Sequence, residues 1–144
     1  MAITVTEQVL ANTDRKLVIK RGVTMGTTEN ESEATVLDVS ASTYESSEGK
    51  TMTGVAIERI ILKTVNIASN DLIVSLLWAA DTNVRIITSN EAGAGAGALD
   101  IDVGSEWGGL TKDGTNATGD ILVTTTGGTA GEGYDLILVM RKIF

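Results

Sequence analysis

The chain has 144 residues and a net charge of −8, and it contains no cysteine, histidine or proline. Those absences remove disulfides, thiolate chemistry, the common zinc sites and the Ser-His and Cys-His nucleophile pairs. The 11 lysines and arginines are scattered rather than gathered into a basic stripe, so nucleic acid is not an expected partner.

No apolar run approaches the roughly 20 residues of a membrane helix. The opening MAITVTEQVL lacks the basic flank and long apolar region of a secretory signal, so the expectation is a soluble protein made and used without export. The length suits one domain. Recurrent valine and threonine, abundant glycine and turns that must be built without proline point to many short strands.

Ile3, Val5 and Val9 alternate with Thr4, Thr6 and Gln8, which reads as an amphipathic first strand. With no element before it, the segment 1–11 is either an edge strand of its own sheet or an arm that pairs with another subunit. Asn12 to Asp14 turns the chain into a second strand, Leu17 to Arg21, with Leu17 and Ile19 inward. From Gly22 to Glu33 the residues read as a polar loop. Its alternating Glu29, Glu31 and Glu33 lack the loop glycine and terminal glutamate of a calcium hand, so a solvated acidic loop is expected and no metal.

Ala34 to Val39 is a short strand, followed by a long polar loop from Ser40 to Gly54. Val55 to Ile67 fits both periods, and its dense β-branching favours a strand, with a bulge near Ile60 to Leu62 that changes the buried face. Leu72 to Trp78 places Leu72, Val74, Leu76 and Trp78 on one face, so Trp78 is expected in the core. A turn from Ala80 to Asn83 leads to Val84 to Thr88.

The run GAGAGA does not follow a strand and open a helix, as a nucleotide-binding glycine loop would. A DxD strand, Leu99 to Val103, comes next, with Asp100 and Asp102 on one side and facing solvent. Trp107 stands among Gly104, Gly108 and Gly109, and is either an interface anchor or a plug at the end of the fold. The sequon at Asn116 to Thr118 is discounted for want of a signal peptide.

The last quarter is a hairpin: Ile121 to Thr125, a glycine-rich break from Gly127 to Gly133, and Tyr134 to Ile143. Tyr134, Leu136, Leu138 and Met140 share one face, and Ile137, Val139 and Ile143 the other. Both faces are apolar, so this strand needs cover on both sides. About nine strands give an all-β chain forming a single antiparallel β-sandwich over residues 1–144, most simply a jelly roll.

VAIERIILKT, VSLLWAADTNV, the glycine loop leading to WGGL, and TGDILVTTTGGTAGEGYDLILVMRK follow one another through the second half of the chain. In that order they resemble the small jelly-roll proteins of tailed-bacteriophage virions known as capsid decoration, cement or head-stabilising proteins. The resemblance implies a non-enzymatic protein without cofactors, assembled as a homotrimer and bound to the outer surface of the major capsid protein. Its place would be the virion exterior, after synthesis in the host cytoplasm. No residue-level binding motif travels with the family. From this chain alone, the interface candidates are Ile3 and Val5 in the N-terminal arm, Trp107 with Leu110, and Ile137 and Val139 on the outward side of the last strand.

Two other classes stand beside this one. A carbohydrate- or receptor-binding jelly-roll module of a phage tail or fibre would rest on Trp107 and Tyr44, in a chain that is only 3% aromatic. An enzyme would depend on carboxylate pairs such as Asp100 with Asp102 or Glu29 with Glu31, and without a cleft in view none is expected.

Overall fold

The structure, a computed structural model, describes residues 3–26, 30–65, 72–89, 98–104 and 108–144. Among these, nine strands form two antiparallel sheets. They are β1 (Thr4–Asn12), β2 (Lys16–Thr24), β3 (Ala34–Leu37), β4 (Gly54–Val65), β5 (Ile73–Trp78), β6 (Val84–Thr88), β7 (Ala98–Asp102), β8 (Ile121–Thr126) and β9 (Gly133–Ile143). A five-stranded sheet in the order β1-β2-β9-β4-β7 packs on a four-stranded sheet in the order β3-β8-β5-β6.

One cluster of buried side chains joins the sheets. Leu17, Ile19, Ile57, Ile60, Leu62, Leu136, Leu138 and Met140 come from the larger sheet, and Leu37, Val74, Leu76, Trp78, Ile121 and Val123 from the smaller. Burying each such side chain contributes on the order of 1.5–3 kcal/mol, which makes the inward rows of β9, β4 and β5 the main source of stability. Trp78 is in this core, as its spacing predicts.

Five expectations are corrected. The last quarter is not a hairpin: β8 lies between β3 and β5 in the smaller sheet and β9 between β2 and β4 in the larger, so the glycine-rich segment between them crosses from one sheet to the other instead of turning within one. The polar loop begins later than Gly22, because β2 runs on to Thr24 and buries Val23. The buried face of β4 does change, but the extra residue is Glu58, which has no partner between the pairs Ile57–Met140 and Arg59–Val139. That bulge turns Ile60 and Leu62 inward after Val55 and Ile57, and sends Arg59, Ile61 and Lys63 outward. The strand expected over Ala34 to Val39 ends at Leu37, and the DxD strand spans Ala98–Asp102.

Glycine is required where chains approach closely. A Cβ on Gly133 would lie 2.0 Å from the Val23 carbonyl oxygen, so the start of β9 can pass β2 only without a side chain.

Candidate functional site

The five-stranded sheet has one more strand than the sheet beneath it, and the surplus strand is β1. Its cross-strand partners show which side chains share a face: Val5 is opposite Val23, Glu7 opposite Arg21 and Val9 opposite Ile19. The β2 members of these pairs are buried, yet Val5 is 42% and Val9 47% exposed. The smaller sheet leaves them exposed, its edge strand β3 reaching this side only through Val36, which lines a small cavity with Glu7 and Val9. The amphipathic pattern of the first strand is therefore present, but its apolar side does not enter the core. Leu10, the extra residue of a bulge between Val9 and Ala11, is exposed as well.

What holds β1 in place is a buried polar network. Arg21 and Glu31 have side chains 5% and 4% exposed, and the Arg21 Nη2 donates to Glu31 Oε2 at 2.5 Å. The Arg21 Nε donates to the Tyr134 hydroxyl, which donates to Glu31 Oε1, and the Arg21 Nη1 reaches out to Glu7 on β1. The segment carrying Glu31 is itself fastened to β8 by Glu31 N to Thr125 Oγ1 at 2.8 Å and Thr125 N to the Glu31 carbonyl at 2.9 Å. Farther along, Lys142 Nζ donates to Asn12 Oδ1 at the end of β1 and to the Tyr44 carbonyl.

Glu31 is thus not a solvated acid. The sequence pattern predicts a carboxylate in water there, whereas its two oxygens are occupied by Arg21 and Tyr134. Glu33 is exposed, and Glu29 lies outside the described residues. Among the described residues no three acidic side chains gather into a metal-ligating group.

Burial, and next the Glu31 carboxylate, push the Tyr134 hydroxyl far above the ordinary phenol value; burial, then Glu7 and Asp38, also raise Tyr44. Burial by itself would lower the Arg21 guanidinium, but its bonds to Tyr134 and Glu31 hold it above its usual value. The folded pKa of Tyr134 exceeds the unfolded one, so its contribution is complete below about pH 10 and is lost as pH rises towards the folded value. The expected slope is about 1.4 kcal/mol per pH unit in that window. Urea midpoints measured from pH 9 upward should fall for the native chain and fall less steeply for Tyr134→Phe; equal slopes would refute the assignment.

The outward side of the five-stranded sheet is the second surface. Register places Val18 beside Val139 and Ile137 beside Ile61, all half-buried, in one aliphatic block across β2, β9 and β4. Lys20, Arg59, Lys63 and Arg141 border it, with Asp100, Asp102 and Asp135. Asp100 is bound by Arg59 through two hydrogen bonds of 2.8 and 2.6 Å, which hold its carboxyl below the usual range. The DxD pair therefore sits at the rim of an apolar patch, on the exposed side that its spacing predicts.

No family model, curated protein or solved structure matches the chain.

The structure separates the interface candidates into different places. Ile3 is half-buried against the core beside the exposed Val5, and Ile137 and Val139 belong to the outer aliphatic block. Leu110 is partly buried and bridges Ile57 through reciprocal backbone hydrogen bonds of 2.8 Å. Trp107 lies outside the described residues. Val18, Ile61 and the Arg21 network were missed by sequence reasoning. The network had a signal: Arg21 has the inward parity of Ile19 and Val23, and an inward arginine demands a buried acceptor.

Proposed function

We propose that this protein is a non-enzymatic structural component of a bacteriophage virion that binds the outer surface of the major capsid protein and stabilises the head. The observation that supports a docking role best is the half-buried aliphatic block of Val18, Ile61, Ile137 and Val139 on the outward side of the five-stranded sheet. The strand order also favours the jelly-roll reading. β2-β9-β4-β7 lies over β3-β8-β5-β6, and apart from the hairpins β1-β2 and β5-β6 every connection passes from one sheet to the other.

Mechanically, such a protein contributes through many copies. Modest contacts at each site add up when the sites are linked by a shell, and a rigid sandwich loses little conformational freedom on docking. The outer aliphatic block with its mixed-charge rim has the composition of a protein-docking surface, apolar at the centre and polar at the edge. A net charge of −8 would disfavour contact with the packaged genome.

The test is cosedimentation with phage heads purified without this protein. The native chain should pellet with the heads, and Ile137→Asp should pellet at least about tenfold less at equal concentration, since one desolvated charge at an apolar contact costs more than 1.4 kcal/mol. A native chain left in the supernatant would overturn the reading.

A further inference from the structure

Four strands form the margins of the two sheets, and three of them are guarded. β3 has four residues, β6 has five and carries Arg85, and β7 has five with Asp100 and Asp102. Short length and charged side chains are the usual means by which a sheet edge avoids adding another strand. β1 differs on each count. It has nine residues, TVTEQVLAN, with no lysine or proline, and its bulge falls near its end, at Leu10.

Its single charge, Glu7, is ion-paired to the buried Arg21, which it shares with Glu31. Strands β1 and β2 together set Glu7 against Lys16, Lys20 and Arg21, so this margin escapes the net negative charge of the chain as a whole. Like-charge repulsion opposes self-association least there.

We infer that two copies of this chain join through β1, edge to edge and antiparallel about a two-fold axis at Glu7, into one continuous ten-stranded sheet. Antiparallel pairing of identical strands about a residue fixes the register, because positions equally distant from the axis come opposite each other. With the axis at Glu7, Val5 of one copy faces Val9 of the other twice over, Thr6 faces Gln8, and the two Glu7 carboxylates meet on the axis, each ion-paired to Arg21 of its own copy. The valines then cover each other on the side that the smaller sheet leaves bare. Shifting the axis by one residue, to Thr6, would set each Val5 against a carboxylate. This pairing does not depend on capsid binding, and as a closed dimer it differs from the trimer that the family resemblance implies.

The experiment combines mass with register. Light scattering on the full chain should give twice the 15.0 kDa chain mass. Because the chain has no cysteine, single cysteines can be placed at will. Glu7→Cys should cross-link to a dimer on mild oxidation, since side chains on the axis are directly opposite, whereas Thr6→Cys and Gln8→Cys should not cross-link singly and should do so together. Val9→Lys, at an exposed position, should fold, give the mass of one chain and unfold at a thermal midpoint independent of protein concentration, whereas the native midpoint should rise with concentration. A native mass of one or three chains, or cross-linking strongest at a position other than 7, would overturn the pairing.

Discussion

Replacing Glu31 by alanine is expected to lower the unfolding free energy by about 3–5 kcal/mol, because it leaves the Arg21 guanidinium buried without its carboxylate. For a chain of this size that corresponds to a fall of roughly 6–20 °C in the thermal midpoint. Arg21 would retain Glu7, whose side chain is 55% exposed, and such a surface partner compensates little. The Tyr134 hydroxyl, fully buried, would lose its acceptor at the same time. Glu33→Ala is the internal control. It lies two residues away and is exposed, and should change stability by no more than about 0.5 kcal/mol. Equal midpoints for the two variants would show that the network does not hold this end of the sandwich. Removing all the polar groups together, as Arg21→Met, Glu31→Leu and Tyr134→Phe, should cost less than Glu31→Ala alone, since no charge is then stranded.

Leu138→Ala is expected to cost about 2.7–5 kcal/mol, as deletion of a fully buried leucine leaves a cavity that close-packed neighbours fill only in part. Leu138 is in the middle of β9, between Ile19 on β2 and Ile60 on β4, and all three are buried. Its neighbour Ile137 faces the other way and is half-buried, so Ile137→Ala should cost about 1 kcal/mol or less. The two substitutions separate what the two faces of one strand do. Leu138→Ala should lower the denaturant midpoint without changing binding by the folded fraction, and Ile137→Ala should weaken docking with the midpoint nearly intact. If both variants unfold alike, the outer face of β9 is a second core rather than a surface.

Strand patterns were legible because the alternation of side chains in a strand depends only on the local backbone. Leu17 with Ile19, Leu72 to Trp78, and Tyr134 to Met140 all fall inward on the face that their spacing predicts. The same locality limits what can be read. A bulge shifts every later side chain to the opposite face, and its position depends on the partner strand. The extra residue in β4 was therefore expected near Ile60, whereas pairing with β9 puts it at Glu58.

For the candidate site the division is sharper. The sequence by itself determined the alternation of the first strand, the two apolar faces of the last and the absence of cysteine and histidine chemistry. Only the tertiary structure decided that the apolar side of β1 stays exposed, since that depends on how far the opposing sheet extends. It also decided that Glu31 is buried rather than solvated. Arg21, Glu31 and Tyr134 are 10 and 103 residues apart along the chain in their two contacts with Glu31, and the burial that makes a carboxylate costly or stabilising is a property of what surrounds it, which no local pattern carries.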